Sequence, residues 1–263
     1  MRSDESEGTA TAAPISRFSG TLLDILDRVE YRRVSPREQF DPVYRLRYEA
    51  YRREDFIPFN PEQIVYDEFD QLPNAYSYGI YIDGTLVSAL RFHLITPEYR
   101  WSPSYSVFPD VLDPLLDQGA TFVDPGRFTA DHEASLAYPA LPFLTLRIVV
   151  MASAYANVTY CLASVRPEHA AFYRRIFNSQ MLADQRYYHG LKFPMQLWAS
   201  HVPVEYPRLL RRYPFFMSTE EERNRLFGAT HDGFDALHPA TSRLAYERSL
   251  LEAQFGRMSV AAE

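Results

Sequence analysis

The chain has 263 residues, of which 46% are hydrophobic and 23% charged, and its formal net charge at neutral pH is −7. This length can bury a sizeable hydrophobic core, and the acidic balance argues against nucleic-acid binding, which needs clustered Lys and Arg. Cys161 is the only cysteine, so neither a disulfide framework nor a thiolate zinc site can be built. No apolar run reaches the ~20 residues of a membrane span and no signal peptide is recognisable, so we expect a cytoplasmic protein.

The first half of the chain is predicted to contain helices and a pair of antiparallel strands. Its predicted elements are, in chain order, a disordered tail (1–20), a short amphipathic helix (21–28), a strand (29–35), a helix beginning at Asp41-Pro42, a long ordered loop (54–75) and two alternating strands (76–82 and 86–94). The two strands are joined by Asp83-Gly84, which is typical of a tight hairpin.

The second half predicts a crossover followed by further helices. Its predicted elements are an irregular segment (97–118), a strand interrupted by Asp124-Pro125-Gly126 (120–129), a long apolar helix (141–156), a buried strand (158–165), a helix (167–177), one or two strands (182–201) and helices over 218–228 and 241–257. This order indicates an α/β fold with a largely antiparallel beginning.

Charged residues in four segments are the most informative feature of the sequence. They are Arg47, Asp67, Asp70, Arg91, Asp124 and Arg127, and Tyr51 lies one helical turn after the first of them. Arg91 stands within the apolar strand SALRFHL, where an unpaired guanidinium would be costly, so it needs a carboxylate partner. The available partners are Asp67, Asp70 and Asp124. An alternative is an ion-pair network that only orders the loop.

These motifs resemble those of the autoinducer synthase family, which makes acyl-homoserine lactones, and of its sister family, the long-chain N-acyl amino acid synthases. The matching residues are Arg47 with Tyr51, Asp67 and Asp70 in YDEFD, Arg91 in ALRF, Phe108 in VFPDVL, and Asp124 with Arg127 and Phe128. The later segment RPEHAAFYRRIF resembles the closing helix of GNAT-like acyltransferases. The resemblance covers residues 30–200. It implies a GNAT-like, mostly antiparallel sheet flanked by helices in a domain over 21–203, with a helical C-terminal extension over 204–263.

The sequence departs from the family pattern at three places. The acid before Arg127 is Asp124, where the family usually has Glu, and the Trp expected in the loop after the first helix is absent, with Phe56 and Phe59 nearby. The segment TADHEASLAYPALPFLTL lacks the glycines that would bring backbone N–H groups close to a coenzyme A diphosphate. The missing Trp favours the N-acyl amino acid branch, and the missing glycines favour an acyl carrier protein as the donor. The Asp at position 124 keeps a non-catalytic protein open as an alternative.

The resemblance implies an N-acyltransferase that moves a fatty acyl group from an acyl carrier protein thioester, or from coenzyme A, to the amine of an amino acid. Direct attack in a ternary complex needs neither a covalent intermediate nor a cofactor or metal. Two alternatives stay open: an acyl-homoserine lactone synthase that uses S-adenosylmethionine, and a non-catalytic protein that binds acyl carrier protein or lipid.

The resemblance also suggests roles for individual residues. Asp124 is the first candidate for the general base and His132 is its rival. The three arginines either bind the acceptor carboxylate or hold Asp67 and Asp70 in place. The fatty tail is expected along Phe143, Leu144 and Leu146, and Tyr173 could donate a proton to the leaving thiolate.

Overall fold

The computed structural model describes residues 15–35, 38, 41–188, 192–228 and 236–260. The strands within this part are β1 (Val29–Arg33), β2 (Ala75–Ile82), β3 (Thr85–Ile95), β4 (Phe122–Ala130), β5 (Tyr160–Val165), β6 (Gln180–Tyr187), β7 (Pro194–His201) and β8 (His238–Pro239). They form one sheet in the order β6-β7-β5-β4-β3-β2-β1-β8. All neighbouring strands are antiparallel except β4 and β5. The predicted mixed, mostly antiparallel fold is therefore confirmed.

The helices cover both faces of this sheet. They are α1 (Arg17–Leu26), α2 (Pro42–Arg53), α3 (Pro103–Val107), α4 (Pro109–Leu116), α5 (His132–Ala137), α6 (Leu141–Tyr155), α7 (Ala170–Phe177), α8 (Val202–Arg212), α9 (Glu220–Phe227) and α10 (Ser242–Val260). None of the described helices is both long enough and apolar enough to cross a bilayer.

Alternation along β3 separates the two faces. Leu90 and Phe92 point into the main hydrophobic core, which α6 and the C-terminal helices cover. Ala89 packs against α2 on the opposite face, and Ile95 packs there with α3 and α4. The long apolar helix predicted over 141–156 thus lies on one side of the sheet, and the helix that begins at Pro42 lies on the other.

Strands β4 and β5 separate soon after they begin. Their parallel pairing covers only Phe122 with Tyr160 and Val123 with Cys161, although both strands continue beyond these residues. Asp124 and the rest of β4 therefore lack a neighbour on the β5 side. This separation opens a gap in the sheet between its two faces, which we call the β4–β5 gap.

Three predicted elements need correction. The first helix begins at Arg17 behind the N-cap Ser16, so it includes the end of the predicted tail, whose residues 1–14 lie outside the described residues. The segment 97–118, predicted to be irregular, contains α3 and α4, which begin with prolines in the first turn and are held by tertiary packing. The predicted interruption at Asp124-Pro125-Gly126 is wrong, because these residues pair in register with β3.

The predicted C-terminal extension is helical but is not separate from the rest. β8 extends the sheet beside β1, and Phe215 and Phe216 are fully buried in the main core. Arg147 in α6 donates to both carboxylate oxygens of Glu222 in α9, at 2.6 and 2.7 Å, and both side chains are buried. The C-terminal helices are therefore built into the core.

Candidate active site

Five of the six predicted charged residues form one continuous chain of ion pairs. Arg47 donates to Asp70 at 2.8 Å. Arg91 Nη1 lies 2.8 Å from Asp70 Oδ2 and 2.5 Å from Asp67 Oδ1. Arg127 donates to the other oxygen of Asp67 through Nε at 3.1 Å and through Nη2. Three arginines therefore alternate with two aspartates, and we call this set the arginine–aspartate chain.

A short 3-10 helix, Glu68–Gln71, holds the two aspartates in place. Asp67 accepts from the backbone N–H of Phe69 and Asp70 accepts from that of Asp67, both at 3.0 Å, which makes a reciprocal capping box. The YDEFD motif thus supplies its own local structure, and the arginines fix it to the sheet and to α2.

Aromatic rings accompany each arginine of the chain. The guanidinium of Arg47 lies 4.9 Å from the ring centroid of Tyr44, and that of Arg91 lies 5.8 Å from Phe69. The guanidinium of Arg127 lies 5.5 Å from the ring centroid of Tyr51, the aromatic residue predicted from the sequence. A planar guanidinium can stack on a ring and pair with a carboxylate at once, as Lys cannot.

The arginine–aspartate chain carries one more positive than negative charge. Burial alone would raise the pKa of Asp67, but the charges of Arg91 and Arg127 outweigh it and hold this pKa below its usual range. The pKa of Asp70 is lowered in the same way by Arg47 and Arg91. Both aspartates are therefore ionised at neutral pH. The side chains of Arg47 and Arg91 are 0% and 2% exposed, whereas that of Arg127 is 23% exposed, so solvent reaches the surplus charge at Arg127.

A β-bulge directs the side chain of Arg127 towards Asp67 in the arginine–aspartate chain. Arg91 pairs with Gly126 and Ala89 with Thr129, so Leu90 alone opposes both Arg127 and Phe128. Arg127 adopts a left-handed conformation with φ 52°. Regular alternation would direct its side chain to the α6 face, whereas the bulge turns it towards Asp67 on the α2 face. Bulges commonly re-aim side chains in this way.

Asp124 does not join the arginine–aspartate chain. Its carboxylate accepts from the Ser104 backbone N–H at 3.0 Å and from the Ser104 hydroxyl at 2.5 Å. The hydroxyls of Ser104, Ser164 and Tyr188 are hydrogen-bonded to one another. The prediction that Asp124 could partner an arginine is therefore wrong in this structure, because Asp67 and Asp70 take all three guanidinium groups and Asp124 is surrounded by hydroxyl groups.

Burial changes the acidity of Asp124 in the direction that a base requires. The side chain is 2% exposed, and this burial raises its pKa above the usual range, although the hydrogen bonds from Ser104 act in the opposite direction. His93, its cross-strand neighbour, is buried and donates from Nε2–H to the Phe69 carbonyl, and burial together with Arg91 lowers its pKa to about 3. His93 is therefore neutral.

A cavity of about 340 Å³ lies on the α6 side of the β4–β5 gap. Its apolar lining comes from β4, β5, α6, α7 and α8, and includes Pro125, Leu146, Val149, Tyr173 and Leu209. Leu146 was one of the residues predicted along the fatty tail. The size and lining of this cavity suit an apolar ligand.

The mouth of the cavity is strongly basic. Arg174 and Arg175 from the last turn of α7 and Arg208 and Arg212 from α8 line it and are exposed. Among the described lining residues Glu205 is the one acidic side chain, and it lies 3.4 Å from Arg208. This cluster of arginines, which we call the basic rim, stands out in a chain whose net charge is −7, and it favours an anionic ligand at the mouth.

Tyr173 and Cys161 are two cavity-lining side chains whose pKa values are strongly raised. Both line the cavity, and burial is the main reason that the pKa of each is raised to about 12. Asp124 follows Val123, the partner of Cys161 in the parallel pairing, and its charge further raises the pKa of Cys161. Both Tyr173 and Cys161 are thus protonated at neutral pH, so Tyr173 holds a proton and Cys161 is not a thiolate nucleophile.

Four predicted residues lie away from the arginine–aspartate chain. His132 is exposed at the beginning of α5 and takes part in none of the described hydrogen bonds. Phe108 is buried with α4 under Arg186, and Phe128 is packed against the main core. Phe143 belongs to an aromatic cluster with Phe215 and does not line the cavity.

Sequence reasoning missed the serine and tyrosine hydroxyls around Asp124. Ser104 and Ser164 come from segments far apart in the chain, and no local pattern marks them. It also missed Glu222, for which a signal existed, because Arg147 stands in the apolar helix LTLRIVV as Arg91 stands in its strand. The same demand for a carboxylate partner applies to both.

The family model described as N-acyl amino acid synthase FeeM matches residues 42–201, more than half of the chain. No curated protein sequence matches. Among solved structures, FeeM, an N-acyl amino acid synthase from uncultured soil microbes, is similar with a TM-score of 0.57 and 18% identity over 73% of this chain and 99% of FeeM.

Two CoA-dependent acyl-homoserine lactone synthases are also similar in fold. BjaI gives a TM-score of 0.51 with 14% identity over 70% of this chain and 89% of BjaI. MesI gives a TM-score of 0.50 with 15% identity over 70% of this chain and 94% of MesI. At these identities the likeness concerns the fold, and it agrees with the GNAT-like sheet described above.

Proposed function

The chain belongs to the N-acyl amino acid synthase FeeM family and is an acyltransferase, and we propose that it transfers a fatty acyl group from an acyl carrier protein thioester to the amine of an amino acid. One observation carries this proposal: the apolar cavity and the surplus charge of the arginine–aspartate chain lie on either side of the β4–β5 gap. Pro125 lines the cavity, and Arg127 follows two residues later on the same strand.

The donor side of the proposal rests on the cavity and its basic rim. An apolar slot accommodates the fatty tail, and its burial from water supplies binding free energy. The exposed arginines of the rim attract an acidic carrier protein by charge complementarity. The segment that leads into α6 has no glycine, and Pro142 removes one of the N–H groups at the beginning of this helix. Both features favour a phosphopantetheine arm over the diphosphate of coenzyme A.

The acceptor side rests on Arg127. Asp67 satisfies one edge of its guanidinium, and the surplus positive charge of the chain is exposed there. A planar guanidinium suits an amino-acid carboxylate. The carboxylate would thereby be fixed on the α2 face, with its amine pointing to the gap. Arg91 and Arg47 are too deeply buried for such contact and act through the two aspartates.

The proposed chemistry is one addition and one elimination. The amine nitrogen attacks the thioester carbonyl carbon while Asp124 accepts a proton from it, directly or through Ser104. The C–S bond then breaks, the leaving thiolate takes a proton from Tyr173, and the proton held by Asp124 returns through solvent to Tyr173, so that both groups end as they began. Positioning of the two substrates on either side of the gap supplies much of the rate.

A product assay tests this function. Purified protein is incubated with acyl carrier protein thioesters and the common amino acids, and the products are identified by mass spectrometry. We expect an N-acyl amino acid, and we expect Arg127→Gln to raise the acceptor KM more than the donor KM. Absence of an amide product with folded protein would refute the proposal, whereas a lactone that forms only with S-adenosylmethionine would assign the chain to the other branch.

A further inference from the structure

The outer wall of the cavity comes from a part of the chain beyond the family match. That match ends at residue 201, and α8 begins at Val202. Val202, Tyr206 and Leu209 of α8 and the adjoining Tyr213 line the cavity opposite α6. The space available to an apolar ligand is therefore bounded on one side by residues that the family match does not include.

The segment that follows this wall is attached to α6 by buried polar contacts. Arg147, the neighbour of the lining residue Leu146, forms the fully buried ion pair with Glu222 and also donates to the Met217 carbonyl at 2.7 Å. Thr241 donates to Glu222 from its hydroxyl at 2.5 Å and from its backbone N–H at 3.2 Å. The segment that follows α8 is thus attached to α6 at several points, and a close-packed interior of this kind resists expansion.

We infer that α8 closes the acyl slot and sets the longest fatty chain that the enzyme accepts. This inference rests on the proposed function, since it assigns the length limit of the same donor site. The cavity of about 340 Å³ is finite, and close-packed walls do not expand to admit further methylenes. Leu209, which lines the cavity and is 8% exposed, is the residue that a chain longer than the limit meets.

Leu209 and Leu210 provide a matched pair for the test. Both are leucines of α8 packed against the main core, but Leu209 lines the cavity and Leu210 does not. Leu209→Ala removes three carbon atoms from the wall, so the preferred acyl chain should lengthen by about three methylenes. Burial of each methylene contributes ~0.8 kcal/mol, which is roughly a fourfold gain in affinity at ~1.4 kcal/mol per tenfold. Leu209→Phe should shorten the preferred chain, and Leu210→Ala should leave it unchanged.

The measurement is the affinity for a series of S-acyl-pantetheines, from hexanoyl to hexadecanoyl, by titration calorimetry, with product yield from the matching carrier-protein thioesters. Circular dichroism checks that each variant is folded, and Leu209→Val replaces the alanine variant if that one does not fold. The same length optimum in the Leu209 and Leu210 variants would overturn the inference. A length optimum that moves with Leu209, in a protein that forms no amide, would instead refute the proposed function and leave the wall assignment standing.

Discussion

Replacement of Asp124 by Asn separates catalysis from folding. The amide has the shape of the carboxylate, and its oxygen can accept from the Ser104 backbone N–H while its NH₂ group donates to the Ser104 hydroxyl. That hydroxyl can reverse its role because Ser164 and Tyr188 each accept as well as donate. The hydrogen-bond network thus survives, and only the capacity to accept a proton from the substrate is lost.

The expected loss of rate is that of a general base. Removal of such a group costs about 10²- to 10⁴-fold, which corresponds to about 3–5 kcal/mol in activation free energy at 1.36 kcal/mol per tenfold. Binding of either substrate should change little. Because the pKa of Asp124 is raised in the folded state, its stabilising contribution is present at low pH and is lost as pH rises through that pKa. Asp124→Asn should therefore be as stable as the wild type at neutral pH, or more stable.

The assay is single-turnover acyl transfer over a range of pH. The wild-type rate should fall as pH decreases through the raised pKa of Asp124, and the Asn variant should lack this limb. Asp110→Asn is the control, since Asp110 is an exposed residue paired with Arg186 outside the cavity. An unchanged rate in Asp124→Asn would show that another group, His132 or water, takes the proton.

Two further predictions concern stability. Glu222→Gln should lower the free energy of unfolding by about 3–5 kcal/mol, because it leaves the buried charge of Arg147 unpaired. The control Glu221→Gln breaks an exposed ion pair on the same helix and should lower this free energy by less than about 1 kcal/mol. Equal losses for the two variants in guanidinium titrations would contradict the burial argument. The second prediction concerns His93, whose pKa in the folded protein is lowered to about 3. As pH falls, His93 therefore binds a proton in the unfolded chain before it does so in the folded protein. The free energy of unfolding should thus fall between about pH 6.5 and 3, by up to about 5 kcal/mol at 1.36 kcal/mol per pH unit. His93→Gln should flatten that part of the curve, and an unchanged pH dependence would exclude His93 as its cause.

Elements with local signals were predicted correctly from the sequence. The Asp83-Gly84 turn has φ values of 50° and 75° at its two residues, as a two-residue hairpin requires, and α2 begins at Pro42 behind the N-cap Asp41. The helix α3 has a comparable start at Ser102-Pro103, but α3 and α4 are only 5 and 8 residues long, too short to show a helical period, and they depend on burial against the sheet. Pro125 suggested a break in β4, but it lies where β4 has no neighbour on the β5 side, where a proline is tolerated.

The candidate site also contains some contacts that could be predicted from the sequence and others that could not. A guanidinium in an apolar strand demands a carboxylate, so the convergence of Arg91 with Asp67 and Asp70 could be inferred from residue types alone. The environment of Asp124 could not, because it depends on hydroxyl groups from α3, β5 and the end of β6, which only the folded sheet brings together. The direction of the Arg127 side chain also required the structure, since a bulge of one residue reverses the face to which it points.

Arg91 and Arg147 are both buried arginines in apolar segments, and their ion pairs lie on opposite faces of the sheet. Arg91 fixes the aspartate turn on the proposed acceptor side, and Arg147 fixes the segment that follows α8 on the proposed donor side. Buried ion pairs are often no more stabilising than apolar residues of similar volume, so stability alone does not account for either. Each pair instead joins segments that are far apart in the chain, 24 residues for Arg91 with Asp67 and 75 for Arg147 with Glu222. Directional contacts of this kind fix the distance between the acyl slot and Arg127, and direct transfer between two bound substrates depends on that distance.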